Sequence, residues 1–193
     1  MGGFSFPNAA NTFTTTMNIP VPTANTVVTM PTTGTVVSST EPMSGMVIQV
    51  ANFTTGALAT GTIVVPFDDT IPQNTEGVQF LSLSFTPKKA NSLLRIDIVA
   101  NVAHSAITYF VASLFRDAGP NSIGTASIRA GVADNGVLFS YQVYANSSAT
   151  TITTFNVRIG GAAVGTITLN GVAGARYLGG SLASSITITE IAQ

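Results

Sequence analysis

The sequence contains no cysteine and a single histidine, and only 8% of its 193 residues are charged. The absence of cysteine excludes disulfide bonds, thiolate metal ligands and cysteine nucleophiles. The seven basic residues are scattered along the chain, so no basic surface for a phosphate backbone is expected and we predict no nucleic acid partner. No apolar stretch approaches the roughly 18 residues of a membrane span, so we also predict no membrane insertion.

Residues 1–43 differ in composition from the remainder of the chain. They hold five of the nine prolines in a background rich in Thr and Asn, and no charged residue precedes Glu41. Proline removes a main-chain donor and interrupts pairing, so this segment predicts an extended arm. Its spaced apolar side chains indicate an arm that anchors to a partner surface. The predicted anchoring residues are Phe4, Phe6, Phe13, Met17 and Ile19.

Residues 44–193 show the pattern of β-strands separated by turns. In residues 92–102, Leu94, Ile96 and Ile98 alternate with Arg95 and Asp97, which places the two sets on opposite faces of one strand. Nine such segments are predicted, at 45–54, 60–67, 77–85, 92–102, 106–116, 136–146, 151–160, 164–170 and 181–192. Many antiparallel strands with loops of varied length predict an all-β, jelly-roll β-sandwich, with an up-and-down barrel as the alternative.

The predicted outer strand faces are short of charge. They carry Thr, Ser, Ala, Val and Asn where a monomeric protein would carry Lys and Glu. Further copies of the chain, packed against these faces, would remove the weakly charged surface from contact with water. We therefore predict a homo-oligomer, with a symmetric homotrimer favoured.

The stretch FDDTIPQNTEG, residues 67–77, holds three of the eight carboxylates. Asp68, Asp69 and Glu76 are candidate ligands for a hard cation. Their spacing does not match the twelve-residue calcium loop, however, and two prolines stiffen the segment. We favour a polar crossover between two strands, and we predict neither a metal nor a cofactor.

No residue pattern identifies a catalytic centre, and we predict that the protein is not an enzyme. His104 and Ser105 are neighbours in an extended segment and should point to opposite faces, so a structural role is predicted for the histidine.

Arg95 and Asp97 share a face and are candidates for a cross-strand or intersubunit ion pair.

Five aromatic residues on predicted strands have two interpretations. They could form an exposed patch for a carbohydrate or protein ligand, but aromatic residues on strands more often pack in the core, which is the interpretation we favour. These residues are Tyr109, Phe110, Phe139, Tyr141 and Tyr144.

Several motifs in residues 45–193 resemble a sequence pattern of structural proteins from tailed bacteriophages. The clearest are DDTIPQNTEG, TPKKANSLL, GARYLGG and the closing ITITEIA. In those proteins a variable N-terminal arm precedes a β-rich module that is similar to the trimeric jelly rolls of the tumour necrosis factor type. The resemblance implies a virion structural protein, assembled in the host cytoplasm.

The implied role is a trimeric fibre or knob. Its arm would bind other virion proteins of the capsid or tail, and the knob would contact a glycan or protein on the host surface. One alternative is a head fibre or capsid decoration protein that stabilises the capsid. A further alternative is a carbohydrate-active, tailspike-type enzyme, which would need a well-placed pair of acids.

Overall fold

The computed structural model describes residues 42–193. The predicted anchoring residues Phe4, Phe6, Phe13, Met17 and Ile19 lie outside the described residues, so the anchoring arm stays a prediction. Within 42–193, no helix is long and apolar enough to cross a membrane.

The described chain is built from β-strands and one short 3-10 turn. The strands are β1 (Val47–Thr55), β2 (Ala59–Gly61), β3 (Val78–Phe85), β4 (Leu93–His104), β5 (Tyr109–Arg116), β6 (Gly124–Arg129), β7 (Val137–Asn146), β8 (Thr153–Gly161), β9 (Ile167–Leu169), β10 (Gly171–Val172), β11 (Ala175–Arg176) and β12 (Ser184–Ile191). The 3-10 turn spans Leu178–Gly180.

The long strands form two antiparallel sheets. Sheet I has the order β1-β12-β4-β7, with the short β9 and β2 continuing beside β4, and sheet II has the order β3-β8-β5-β6. Among these eight long strands, only the β5–β6 connection stays within one sheet. Repeated passage between two packed sheets is the jelly-roll arrangement, and the predicted all-β jelly-roll sandwich is therefore confirmed.

The core lies between the sheets and follows the two-residue period of the strands. The inward side chains of β4, among them Leu94, Ile96 and Ile98, have no exposed surface. Phe155 and Val157 of β8 are equally buried and face them from sheet II. Each large side chain buried in this way stabilises the fold by about 1.5–3 kcal/mol.

The predicted strand at 60–67 is wrong for most of its length. Only Thr60 and Gly61 belong to a strand, and from residue 62 the chain leaves the ladder. Isolated main-chain hydrogen bonds then replace the ladder, among them one from Val65 N to the Gly161 carbonyl and one within the segment from Gly77 N to the Val64 carbonyl. We call residues 62–77 the strap.

The outer face of sheet II is buried at its centre, and the strap lies over part of it at Gly160. Val111, Ser113 and Phe115 alternate with the core residues of β5 and therefore point away from the core, yet they are at most 3% exposed. Val65 of the strap is itself 1% exposed. The strap thus acts as a partial third layer, in which Val65 packs against Gly160 of β8 instead of pairing as part of a strand.

Candidate functional site

Two of the three candidate carboxylates of the strap, Asp68 and Glu76, accept hydrogen bonds within local turns. Asp68 Oδ1 accepts hydrogen bonds from Thr70 N (2.9 Å) and Thr70 Oγ1 (2.6 Å). The hydroxyl of Thr70, followed by its main-chain amide, lowers the pKa of Asp68. Glu76 Oε2 accepts from Gln73 N at 3.0 Å. Among residues 42–193, no three acidic or histidine side chains come together as a metal site, so Asp68, Asp69 and Glu76 do not form one ligand set.

The strap is fastened to the loop between β5 and β6. Asn74 N donates to the Pro120 carbonyl (2.8 Å), and Ser122 N donates to the Pro72 carbonyl (3.0 Å). Gln73 Nε2 donates to Asn121 Oδ1 at 3.0 Å. These hydrogen bonds hold the polar crossover against the β5–β6 loop.

An open groove of about 400 Å³ runs between the strap and the start of β6. Asp68, Asp69 and Thr70 line one wall, and Ser122 and Thr125 line the other. The two acids are adjacent on the same wall, whereas a glycosidase pair must face each other across the scissile bond. The groove offers hydroxyl and carboxylate hydrogen-bonding groups rather than a catalytic pair.

A second anchor joins the strap to β8. Arg158 lies on the outer face of sheet II, where its Nε donates to the Glu76 carbonyl (2.9 Å) and its Nη2 to the Gly77 carbonyl (2.8 Å). Gly77 has a φ of +63°, a left-handed conformation that glycine adopts without strain. The turn that returns the chain to β3 therefore depends on both residues.

His104 closes the end of β4 and is 2% exposed. Its Nδ1 accepts a hydrogen bond from Ala106 N at 3.0 Å, and burial lowers its pKa despite the opposing influence of Ala106 and Asp134. The hydroxyl of Ser105 instead accepts from Thr166 N (2.9 Å). The ring packs so closely on Gly161 that a side chain at that position would meet it. His104 therefore packs against Gly161, and among residues 42–193 no hydrogen bond joins it to Ser105.

Arg95 and Asp97 pair with each other along β4 rather than across strands. Arg95 Nε lies 2.9 Å from Asp97 Oδ2, and this hydrogen bond and the neighbouring charge raise the pKa of Arg95. Gln142 of β7 donates to the other oxygen, Asp97 Oδ1, at 2.7 Å. The two charges thus neutralise each other on the outer face of sheet I, and a contact with another subunit stays a prediction.

The five aromatic residues do not form one patch. Phe110 and Phe139 belong to the core, and Tyr141 packs against it with a buried hydroxyl that has no hydrogen-bond partner among the described residues. Burial raises the pKa of Tyr141. Tyr144 and Tyr109 are exposed, on sheet I and sheet II respectively. The core interpretation is thus right for three of the five.

Tyr109 takes part in an exposed aromatic stack that the sequence did not indicate. Its ring lies parallel to that of Phe67 in the strap, with centroids 4.1 Å apart. The Arg129 guanidinium lies over the Tyr109 ring at 5.8 Å. Phe67 is 54% exposed and Tyr109 is 38% exposed, so the stack presents aromatic surface to solvent.

Glu190 is a structural site that the sequence analysis missed. It is fully buried on the inner face of β12, and its carboxylate accepts hydrogen bonds from Lys88 N (2.9 Å), Lys89 N (3.0 Å), Ser92 Oγ (2.6 Å) and Gln49 Nε2 (2.7 Å). A signal was present: Ile186, Ile188 and Glu190 are two residues apart, which places the acid in line with core positions.

No protein-family model and no curated protein matches the sequence. Solved structures with weak likeness include the C-terminal CBM6 of LamC, a marine laminarinase from Zobellia galactanivorans, at 14% identity and a TM-score of 0.33, covering 73% of this chain and 99% of that one. The VP2 subviral particle of infectious bursal disease virus has 10% identity and a TM-score of 0.34, covering 76% and 39%.

A third match is the enzymatically active domain of tailspike protein 4 from bacteriophage CBA120. Its identity is 13% and its TM-score 0.28, with 70% of this chain and 21% of that chain covered. The chain therefore spans well under half the length of either viral protein. A carbohydrate-binding module, a viral capsid protein and a phage tailspike are thus among the weak neighbours, and at these scores none of them indicates what this protein does.

Proposed function

We propose that this protein is a non-enzymatic structural component of a bacteriophage particle. In this proposal residues 44–193 form a homotrimeric knob, residues 1–43 bind other virion proteins, and the knob contacts the host surface. The motif resemblance supports the virion assignment. His104 Nδ1 and Ser105 Oγ each accept a hydrogen bond from a main-chain amide, and Asp68 and Asp69 lie side by side rather than across the groove, which supports a binding role rather than catalysis.

The proposed self-association rests on the composition of the outer face of sheet I. The strand register places the outward side chains of β1, β12, β4 and β7 in one continuous field, in which only Arg95 and Asp97 are charged. Val50, Leu138 and Tyr144 in this field are 56–60% exposed. A broad apolar and neutral surface of this kind is typical of a subunit interface.

The stack of Phe67 on Tyr109 is the surface that we propose for host contact. Aromatic faces pack against the apolar faces of sugars and against protein side chains, and the adjacent groove supplies hydroxyl and carboxylate groups. If the stack binds the host, Tyr109→Ala should reduce binding of the purified protein to host cells by about tenfold or more, equivalent to about 1.4 kcal/mol.

The matched control for this test is Ile152→Ala, which removes another exposed apolar side chain from a loop of the same domain. Equal binding by both variants would contradict the proposed contact surface. Release of reducing ends from host polysaccharide by the wild-type protein would contradict the non-enzymatic role.

The proposed arm is tested by deleting residues 1–40. The shortened protein should remain folded and trimeric but fail to join particles. Electron microscopy of labelled particles should place the full chain at the tail. Labelling of capsid capsomers would instead support the head fibre or decoration alternative.

A further inference from the structure

The sequence contains two Asn–Gly pairs, Asn135–Gly136 and Asn170–Gly171. Asparagine before glycine is the context most open to chemical rearrangement, because glycine has no side chain to hinder its main-chain nitrogen. Asparagine is accordingly counted among the thermolabile residues. The fold places these two identical pairs in opposite environments.

Asn170 is held in place on every side. It is fully buried, and its Nδ2 donates to the carbonyls of Thr55 (2.8 Å) and Ala57 (3.0 Å) while its Oδ1 accepts from Ser184 Oγ (2.6 Å). Its own main-chain N donates to the Asn101 carbonyl at 2.9 Å. Rotation of its side-chain carbonyl toward Gly171 N would break these bonds.

Asn135 lies in the loop that joins β6 to β7, where all residues from Gly131 to Gly136 are exposed. Among residues 42–193, no hydrogen bond engages the Asn135 side chain, whose neighbour Asp134 donates its main-chain N to the His104 carbonyl (2.8 Å). Its φ is not in the left-handed region, unlike the φ of +56° at Asn170. The side chain is thus free to turn toward Gly136 N.

We propose that Asn135 is a site of spontaneous covalent modification. Gly136 N attacks Cγ of Asn135, the new N–Cγ bond closes a cyclic imide, and Nδ2 leaves as ammonia with the proton from the Gly136 amide. Water then adds to one of the two imide carbonyls and breaks its bond to the Gly136 nitrogen. Attack at Cγ gives aspartate, and attack at the main-chain carbon gives isoaspartate.

The modification would change the charge at the end of the sandwich where β4 ends at His104. Conversion adds a negative charge beside Asp134, and the isoaspartate product lengthens the main chain within the loop that is hydrogen-bonded to His104. This consequence rests on the proposed virion role, in which each copy in a particle would gain a negative charge at this end of the sandwich with age.

Trypsin separates the two sites, because cleavage after Arg129, Arg158 and Arg176 puts Asn135 in peptide 130–158 and Asn170 in peptide 159–176. The full-length folded protein is incubated at mildly alkaline pH and its digest is analysed by mass spectrometry with fragmentation. We expect peptide 130–158 to acquire the mass change of NH₂ to OH at Asn135 and to split into two isomers, while peptide 159–176 stays unchanged.

Two comparisons make the outcome decisive. In denaturant, both asparagines should react, which shows that the fold protects Asn170. Gly136→Ala should slow the reaction at Asn135 several-fold without unfolding the protein, because a Cβ there would meet its nearest neighbour, Val172, only at 3.8 Å. An unmodified Asn135 in the folded protein, or equal rates at Asn135 and Asn170, would overturn the proposal.

Discussion

At the residue scale, Glu190 shows how a charge is kept inside this sandwich. Its donors are two main-chain amides, a hydroxyl and a side-chain amide, none of which is charged. Burial by itself raises the pKa of Glu190, but the hydrogen bonds from Lys88 N, Ser92, Lys89 N and Gln49 outweigh it and the net pKa lies below 4.5. The carboxylate thereby ties β1 and the β3–β4 loop to β12.

Because the folded-state pKa is lowered, ionised Glu190 stabilises the fold above its ordinary pKa, and this contribution is lost as the pH falls below about 4.5. Glu190→Gln should lower the free energy of unfolding by about 1–3 kcal/mol at neutral pH. The difference from wild type should shrink in acid, measured by denaturant unfolding at several pH values. A constant difference across that range would contradict the assignment.

At the element scale, strands with regular alternation were predictable and the strap was not. The faces of β4 and β8 follow from their two-residue period, and the burial of Leu94 and Phe155 confirms it. In the strap, TIVVPF has the composition of a strand, but its Val65 packs over Gly160 of sheet II. Composition alone does not distinguish a segment that pairs within a sheet from one that packs over its face.

Two features of the structure were missed because no local sequence pattern predicts them. They are the strand β6 and the contact between Phe67 and Tyr109. The segment GTASIR has few strand-forming residues and was not predicted, but it pairs with β5 over its whole length. Likewise, the contact of Phe67 with Tyr109 joins residues 42 positions apart through the path of the strap, which no local pattern encodes. Tertiary pairing decides both features.

The fit between strap and sheet depends on Gly160. A Cβ at this position would lie 2.6 Å from the Ile63 carbonyl oxygen and 2.9 Å from Val65 Cγ2. Gly160→Ala should therefore push the strap outward and destabilise the protein by about 1–3 kcal/mol. Thermal unfolding, together with limited proteolysis of residues 67–77, measures both effects.

Gly131→Ala is the matched control for that substitution, because a Cβ at Gly131 would meet no atom within 4 Å. It should melt like wild type and resist protease equally. Indistinguishable behaviour of the two variants would show that the strap does not press on sheet II.

At the scale of the whole molecule, the two sheets differ in their outer faces. The strap lies over part of the outer face of sheet II at Gly160, whereas the outer face of sheet I carries only the mutually paired Arg95 and Asp97 among neutral side chains. If this face forms the trimer, a charge placed in it must be buried without a partner, at about 3 kcal/mol or more per subunit.

Val50→Lys should accordingly raise the concentration at which the trimer dissociates by at least about 100-fold, measured by sedimentation. Val164→Lys adds the same charge at a residue that is 85% exposed in a loop, and it should leave the trimer intact. A trimer that tolerates Val50→Lys would place the interface elsewhere, and a wild-type monomer at all concentrations would contradict the trimer itself.

The first and last strands begin and end side by side. Gly45 N donates to the Ala192 carbonyl and Ala192 N donates to the Met46 carbonyl, both at 2.8 Å, whereas the loops 130–136 and 162–166 lie at the far end of β4, beside His104. A short linker from Gln193 to Pro42 would therefore permit circular permutation, with new termini opened in either far loop. Peptides grafted into those loops would be displayed away from a scaffold fused at Pro42 or Gln193, so the domain is suited to serve as a display module.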